Sequence, residues 1–123
     1  MAMAAVFFVS AHNAKAETAL EVESWCMPVA NAKTISGSKI SMEQTFDSGS
    51  CWGAFAAFQG LGSAVGSDGV RTLHYCAPPE SSRVEFVKVF VHFVEVHPQQ
   101  GHLPFTFVAL KALVEAFPCA DLQ

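Results

Sequence analysis

SSRVEFVKVFVHFVEVH, residues 81–97, carries six valines and three phenylalanines, and on residue propensity alone it belongs in a β-strand. Its polar positions say otherwise. Glu85, Lys88, His92 and Glu95 recur at intervals of 3, 4 and 3, which lines them up as one stripe of an α-helix and would scatter them over both faces of a strand. Ser81 or Ser82 is placed to accept the free backbone N–H groups of a first turn, and Pro98 ends the helix after His97. The remaining faces are almost wholly apolar. With Phe86, Phe90 and Phe93 added to the valines, this helix has more apolar surface than one small core usually covers, so part of it is expected beneath a second subunit.

Downstream, Pro104 suits a helix start, and Phe105, Val108, Ala112, Leu113, Ala116 and Phe117 recur at helical intervals until Pro118. Lys111 and Glu115 form an i, i+4 pair on the wet face. Only Gln99 to Leu103 separate the two helices, so they must form an antiparallel hairpin. Upstream, Ser41 to Ala64 reads as another helix, with Ser41 as cap and Gln44 completing a capping box. Its Gly53, Ala57 and Gly60 share one face and would let another backbone approach closely, which makes the face around Gly53 and Ala57 the alternative seat of a homodimer, while Trp52, Phe55 and Phe58 supply bulk. A short helix from Thr18 to Trp25 is bounded by Pro28, and residues Ala30 to Ile40 and Val65 to Leu73 read as loops. The expected fold class is therefore all-α: a small four-helix domain with two disulfides and a C-terminal antiparallel helix hairpin.

A chain of 123 residues, 51% hydrophobic, holds one compact core and is too short for two ordinary domains. A net charge of −4, with seven scattered Lys and Arg, removes the electrostatic reason to bind nucleic acid or an anionic membrane. A basic protein fits an acidic surface better. Residues 1–16 read as a secretory signal peptide: an apolar run from Ala2 to Val9, a polar stretch, then Ala14-Lys15-Ala16 as an A-x-A cleavage site, though no basic residue precedes the run. That run is far below the ~20 apolar residues of a membrane span. The mature domain is expected at residues 17–123, outside the cytoplasm.

Cys26, Cys51, Cys76 and Cys119 all fall in the mature part and, in an exported chain, suggest two disulfides. The rival zinc reading lacks any C-x-x-C or H-x-x-x-H spacing. Antiparallel packing brings Cys119 beside Cys76 and leaves Cys26 for Cys51, with Cys51 to Cys119 as the alternative if the Ser41 helix runs the other way. No catalytic, cofactor or metal constellation emerges. Gly60-Leu61-Gly62 follows no strand and so makes no phosphate loop, His74 near Cys76 lacks a free thiol to activate, and Glu85 and Glu95 sit ~15 Å apart by helical rise. His92, His97 and His102 read as a solvated helix position and a turn, with a metal or pH-sensing cluster as the second reading.

Taken in order, Cys51-Trp52-Gly53-Ala54-Phe55, Tyr75-Cys76-Ala77-Pro78, His97-Pro98, His102-Leu103-Pro104 and Ala112-Leu113-Val114-Glu115-Ala116-Phe117-Pro118-Cys119 resemble the immunity proteins that neutralise type VI secretion amidase effectors, the resistance-associated protein family. The resemblance runs from about Ser41 to Cys119. It implies a small helical, periplasmic, dimeric domain that blocks a peptidoglycan-cleaving amidase by stoichiometric binding, without turnover or cofactor. A loop must reach the amidase cleft, since the helices are packed by their own apolar residues. The turn Gln99-Gln100-Gly101-His102 is preferred, because a loop held between two helices loses less entropy on binding and because the resemblance places a protruding loop there. Gly66-Ser67-Asp68-Gly69-Val70-Arg71 is the alternative. Glu85, Lys88, His92 and Glu95 would supply adjoining helix contacts. The rival function is a periplasmic acid-stress chaperone that exposes apolar surface at low pH.

Overall fold

A computed structural model describes residues 16–36 and 39–120; the expected leader, apart from Ala16, lies outside the described residues. The elements in order are α1 (Ala19–Ala30), β1 (Lys33–Ser36), β2 (Lys39–Ser41), α2 (Phe46–Leu61), α3 (Arg83–Val96), a 3-10 turn (Pro98–Gln100) and α4 (Phe105–Ala116). The four expected helices are present, but the chain is not all-α. β1 and β2 pair antiparallel, Lys33 opposite Ser41 and Thr34 opposite Ile40, with an irregularity between Thr34 and Ser36. The stretch read as a loop holds two strands because Thr34, Ile35 and Ile40 are β-branched. Ile40 and Met42 pack against the core and fix the ribbon there.

Claiming Ser41 for a strand moves the start of α2. Thr45 is the cap: its hydroxyl accepts from the Ser48 N–H at 3.1 Å, and the Thr45 N–H donates to the Ser48 hydroxyl at 3.0 Å. Ser48, fully buried, also donates to the Glu43 carbonyl at 2.8 Å, so the capping box lies four residues later than Ser41 and Gln44 suggest. α1 overruns its expected end in the same way. Pro28 sits inside it, on the exposed side, where the hydrogen bond its ring removes is open to water. Cys26 and Val29 are fully buried on the opposite side and hold the last turn in place.

α3 is the central element. Phe86, Val87, Phe90, Val91, Phe93 and Val94 are all buried, because α1, α2 and α4 each pack against it. Most of the apolar excess on this helix is thus covered within the chain, while Val96 at its end remains exposed. Phe55 of α2, Phe90 of α3 and Phe105 of α4 meet at the middle with ring centroids 5.2–5.8 Å apart, within the range of favourable aromatic pairs. Arg83 adds a clamp between α2 and α3, its guanidinium 4.7 Å from the Trp52 ring and its Nε donating to Gln59.

The C-terminal end of α2 is closed by residues from the following loop. Tyr75, fully buried, donates its hydroxyl to the Phe58 carbonyl, which also accepts from the Gly62 N–H, and Arg71 donates to the Gly62 carbonyl at 3.2 Å, satisfying a group that the helix end leaves free. A Cβ built on Gly62 would lie 2.7 Å from the Tyr75 ring, so glycine is needed for this approach. His74, at φ 61, takes the left-handed conformation that turns Tyr75 inward.

Both disulfides form as the antiparallel packing predicts, Cys26 with Cys51 and Cys76 with Cys119, at Cα separations of 5.3 and 4.9 Å. The first staples α1 to α2; the second ties the end of α4 to the segment before α3. A Cys76→Ser, Cys119→Ser double variant should lose about 4 kcal/mol of stability by loop-closure entropy, read as a lower midpoint in urea. An unchanged midpoint would mean that this staple does not constrain the unfolded chain.

Candidate interaction surface

Glu85, Lys88, His92 and Glu95 all emerge on the exposed side of α3, as one stripe. Their common exposure follows from the burial of the other three faces. His97, at the C-terminal end, stacks on Phe93 with centroids 4.4 Å apart and is half-buried.

The turn after α3 is built into the fold. Glu17 to Leu20 run beside residues 101–105: Ala19 N–H donates to the Leu103 carbonyl, Leu20 N–H to the Gly101 carbonyl and Phe105 N–H to the Glu17 carbonyl, each at 2.9 Å. Two carbonyls of the turn thereby satisfy the first N–H groups of α1. Gly101 is buried, and a Cβ on it would lie 3.3 Å from the Leu20 Cβ and 3.2 Å from the Pro98 carbonyl. Gln100 is half-buried and accepts from Lys111 Nζ at 3.3 Å. Gln99 and His102 alone of the four are exposed.

The segment after α2 is the more prominent projection. Val65 and Arg71 form an antiparallel bridge, Gly66 N–H donates to the Val70 carbonyl at 2.9 Å, and the Asp68 carboxylate accepts from the Val70 N–H at 3.0 Å. Gly69, at φ 78, completes the tight turn, and Ser67, Asp68 and Gly69 are exposed at its tip. A Gly/Ser-rich loop is thus a small, closed hairpin, held at its base by Arg71.

Two features carried no clear sequence signal. Glu23 projects from α1 toward α3, where its Oε2 is shut off from solvent without a hydrogen-bond partner. Burial, and then the like charge of Glu95, raise its pKa above the ordinary carboxylate value. The second is a groove of about 530 Å³ between α2 and α4, walled by Ala54, Ala57, Phe58, Leu61, Phe107 and Leu110. α2 and α4 flank α3 and touch each other through the rings of Phe55, Phe58 and Phe105. Gly53, Ala57 and Gly60, read as a seat for another backbone, are exposed, and a Cβ on either glycine would meet nothing within 4 Å. Phe107 falls outside the apolar spacing of α4, which is the one hint the sequence held.

Among the described residues no group of three or more His, Cys, Asp or Glu side chains is arranged to hold a metal ion, and His92, His97 and His102 do not converge into one. All four cysteines are in disulfides, so no thiol is available as a nucleophile.

The chain belongs to the Rap1a immunity proteins, matching that family over residues 38–119, two thirds of its length, from β2 through Cys119. The family is directed against type VI secretion effectors, so this chain is an immunity protein that binds a partner effector. No match is found among curated proteins or solved structures.

The raised pKa of Glu23 fixes the sign of a stability test. The folded state binds this proton more readily than the unfolded state, so the contribution of Glu23 is most favourable in acid and declines as pH rises through its folded pKa. Glu23→Gln should therefore raise the melting temperature at neutral pH and lose that advantage below the ordinary carboxylate range. Equal melting temperatures at neutral pH would show that the carboxylate is not penalised.

Proposed function

We propose that this protein is a periplasmic immunity protein, exported by a cleaved leader at residues 1–16, which as a homodimer blocks a peptidoglycan-cleaving amidase effector of type VI secretion. The family match over residues 38–119 carries the reading; the ordered residues from Cys51-Trp52-Gly53 to Phe117-Pro118-Cys119 bring the amidase class with them. The mode is stoichiometric binding without turnover. Two disulfides suit an oxidising compartment, where the effector acts on the cell wall.

The contact surface is the α3 stripe, Glu85, Lys88, His92 and Glu95, continued by Gln99 and His102 at the end of the same hairpin. Gly101 and Gln100 serve as its support, since one is buried against Leu20 and the other is bonded to Lys111. The rigidity of that turn is useful for inhibition because little conformational freedom remains to be lost on binding. The closed hairpin at residues 65–71 is the competing projection.

An acid-stress chaperone would need a native state that loosens at low pH. Glu23 acts in the opposite direction, since its protonation relieves a buried charge. The immunity reading is preferred on the family match.

Titrating the purified protein into a type VI amidase hydrolysing peptidoglycan should abolish activity at one equivalent per active site, and undiminished hydrolysis in excess protein would overturn the reading. Replacing Gln99 and His102 with Ala should weaken inhibition at least tenfold, about 1.4 kcal/mol in binding. If those variants inhibit fully while Asp68→Ala with Arg71→Ala does not, the 65–71 hairpin is the inhibitory element.

A further inference from the structure

We infer that the hollow between the C-terminal end of α2 and the segment leading into α3 is a binding site for the C-terminal carboxylate of a short peptide. The hollow measures about 310 Å³, at the lower end of small-molecule sites. Gln59 enters it from the last turn of α2, Arg71 and Tyr75 from the segment that follows, and Ser81 and Phe86 from either side of the start of α3. It shares no residue with the α3 stripe or with the turn at residues 99–102, so it goes beyond the effector contact proposed above.

The polar groups of this hollow are donors. Among the described residues the Arg71 side chain makes one hydrogen bond, from Nη1 to the Gly62 carbonyl, so the rest of its fork of N–H groups is uncommitted. Ser81 is only 9% exposed; its N–H donates to the Pro78 carbonyl at 2.9 Å and its carbonyl accepts from Gln59 Nε2 at 3.2 Å, which leaves its hydroxyl without a partner among the described residues. A hydroxyl so buried costs stability unless something accepts from it. Gln59 is held in register by Arg83, whose Nε donates to Gln59 Oε1 and thereby turns the amide nitrogen toward Ser81.

Charge and shape select the ligand. In a chain of net charge −4 no acidic side chain lines this hollow, and burial raises the Tyr75 pKa, so the phenol there stays neutral. Glu80 lines the neighbouring hollow beside Glu85 and Lys88 instead. A single guanidinium matches a single negative charge, and its planar fork fits the two coplanar oxygens of a carboxylate. A phosphate would bring further charge against walls of Ala77, Pro78, Pro79 and Phe86, which suit a small apolar side chain. A free amino acid would carry an ammonium group for which the hollow has no acidic partner; at the end of a peptide that nitrogen is a neutral amide. The side chain of an internal Asp or Glu carries no further group to cover the apolar walls.

The test is a titration of the purified full chain with N-acetylalanine, followed by backbone amide NMR shifts, with N-acetylalaninamide as the neutral probe and inorganic phosphate as the competing anion. N-acetylalanine should give saturable shifts in the millimolar range centred on Ser63, Arg71, Ala77 and Ser81, and the neutral amide should give none there. Arg71→Gln keeps a donor for the Gly62 carbonyl and removes the charge, and should weaken binding about tenfold or more with the helical circular dichroism unchanged. Ser81→Ala removes the hydroxyl and leaves both backbone bonds in place, and should weaken binding about threefold. Lys33→Gln, which removes an exposed cation on β1, should bind as wild type does. Equal shifts with the neutral amide, no saturation with N-acetylalanine, or binding that survives both Arg71→Gln and Ser81→Ala overturns the inference. Phosphate saturating the same residues at lower concentration than N-acetylalanine also overturns it, by making the hollow a general anion site.

Discussion

α3 is apolar around most of its girth, and the arrangement of the other helices follows from the need to cover it. A helix with one apolar stripe needs one neighbour; α3 buries Phe86, Val87, Phe90, Val91, Phe93 and Val94, and needs neighbours on three sides. α1, α2 and α4 take those sides, leaving to solvent the strip from Glu85 to Glu95 and Val96 at the end. The covering helices are themselves short, 12 residues in α1 and α4 and 16 in α2, lengths at which helices in water depend on tertiary packing. Central and covering elements therefore stabilise one another, with Phe55, Phe90 and Phe105 in contact where three of them meet.

The staples act on the edges of this assembly. Cys26 to Cys51 holds α1, whose last turn tolerates Pro28, against α2. Cys76 to Cys119 closes the opposite edge, reinforced by the Cys76 N–H donating to the Phe117 carbonyl at 2.9 Å. With the hydrogen bonds between α1 and residues 101–103, the hairpin of α3 and α4 is anchored at both ends. A surface used to bind a partner gains from such anchoring, because the side chains it presents are ordered before contact.

Surface function divides accordingly between regions of different chemistry. The α3 stripe mixes both signs of charge and is suited to a polar partner surface. The groove between α2 and α4 is lined by no charged side chain.

Much of the frame was legible in the sequence. The 3, 4, 3 spacing of Glu85, Lys88, His92 and Glu95 determined a helix where β-branched composition argued for a strand, and the short link after Pro98 determined the hairpin that brings Cys76 to Cys119. The resemblance carried by Cys51-Trp52-Gly53 through Phe117-Pro118-Cys119 agrees with the family shown over residues 38–119. Tertiary structure alone decided the rest, because each remaining choice was a competition among distant groups. Lys33–Ser36 and Lys39–Ser41 pair as strands since Ile40 and Met42 find the core, which displaces the cap of α2 from Ser41 to Thr45. Gly101 lies inside because the first turn of α1 needs the carbonyls around it, a demand that residues 99–102 do not reveal by themselves. Gly53 and Phe107 are exposed because α2 and α4 touch through Phe55, Phe58 and Phe105 and leave these two positions uncovered. Periodicity reports which face of a helix is apolar; it does not report which of several apolar faces will be left uncovered.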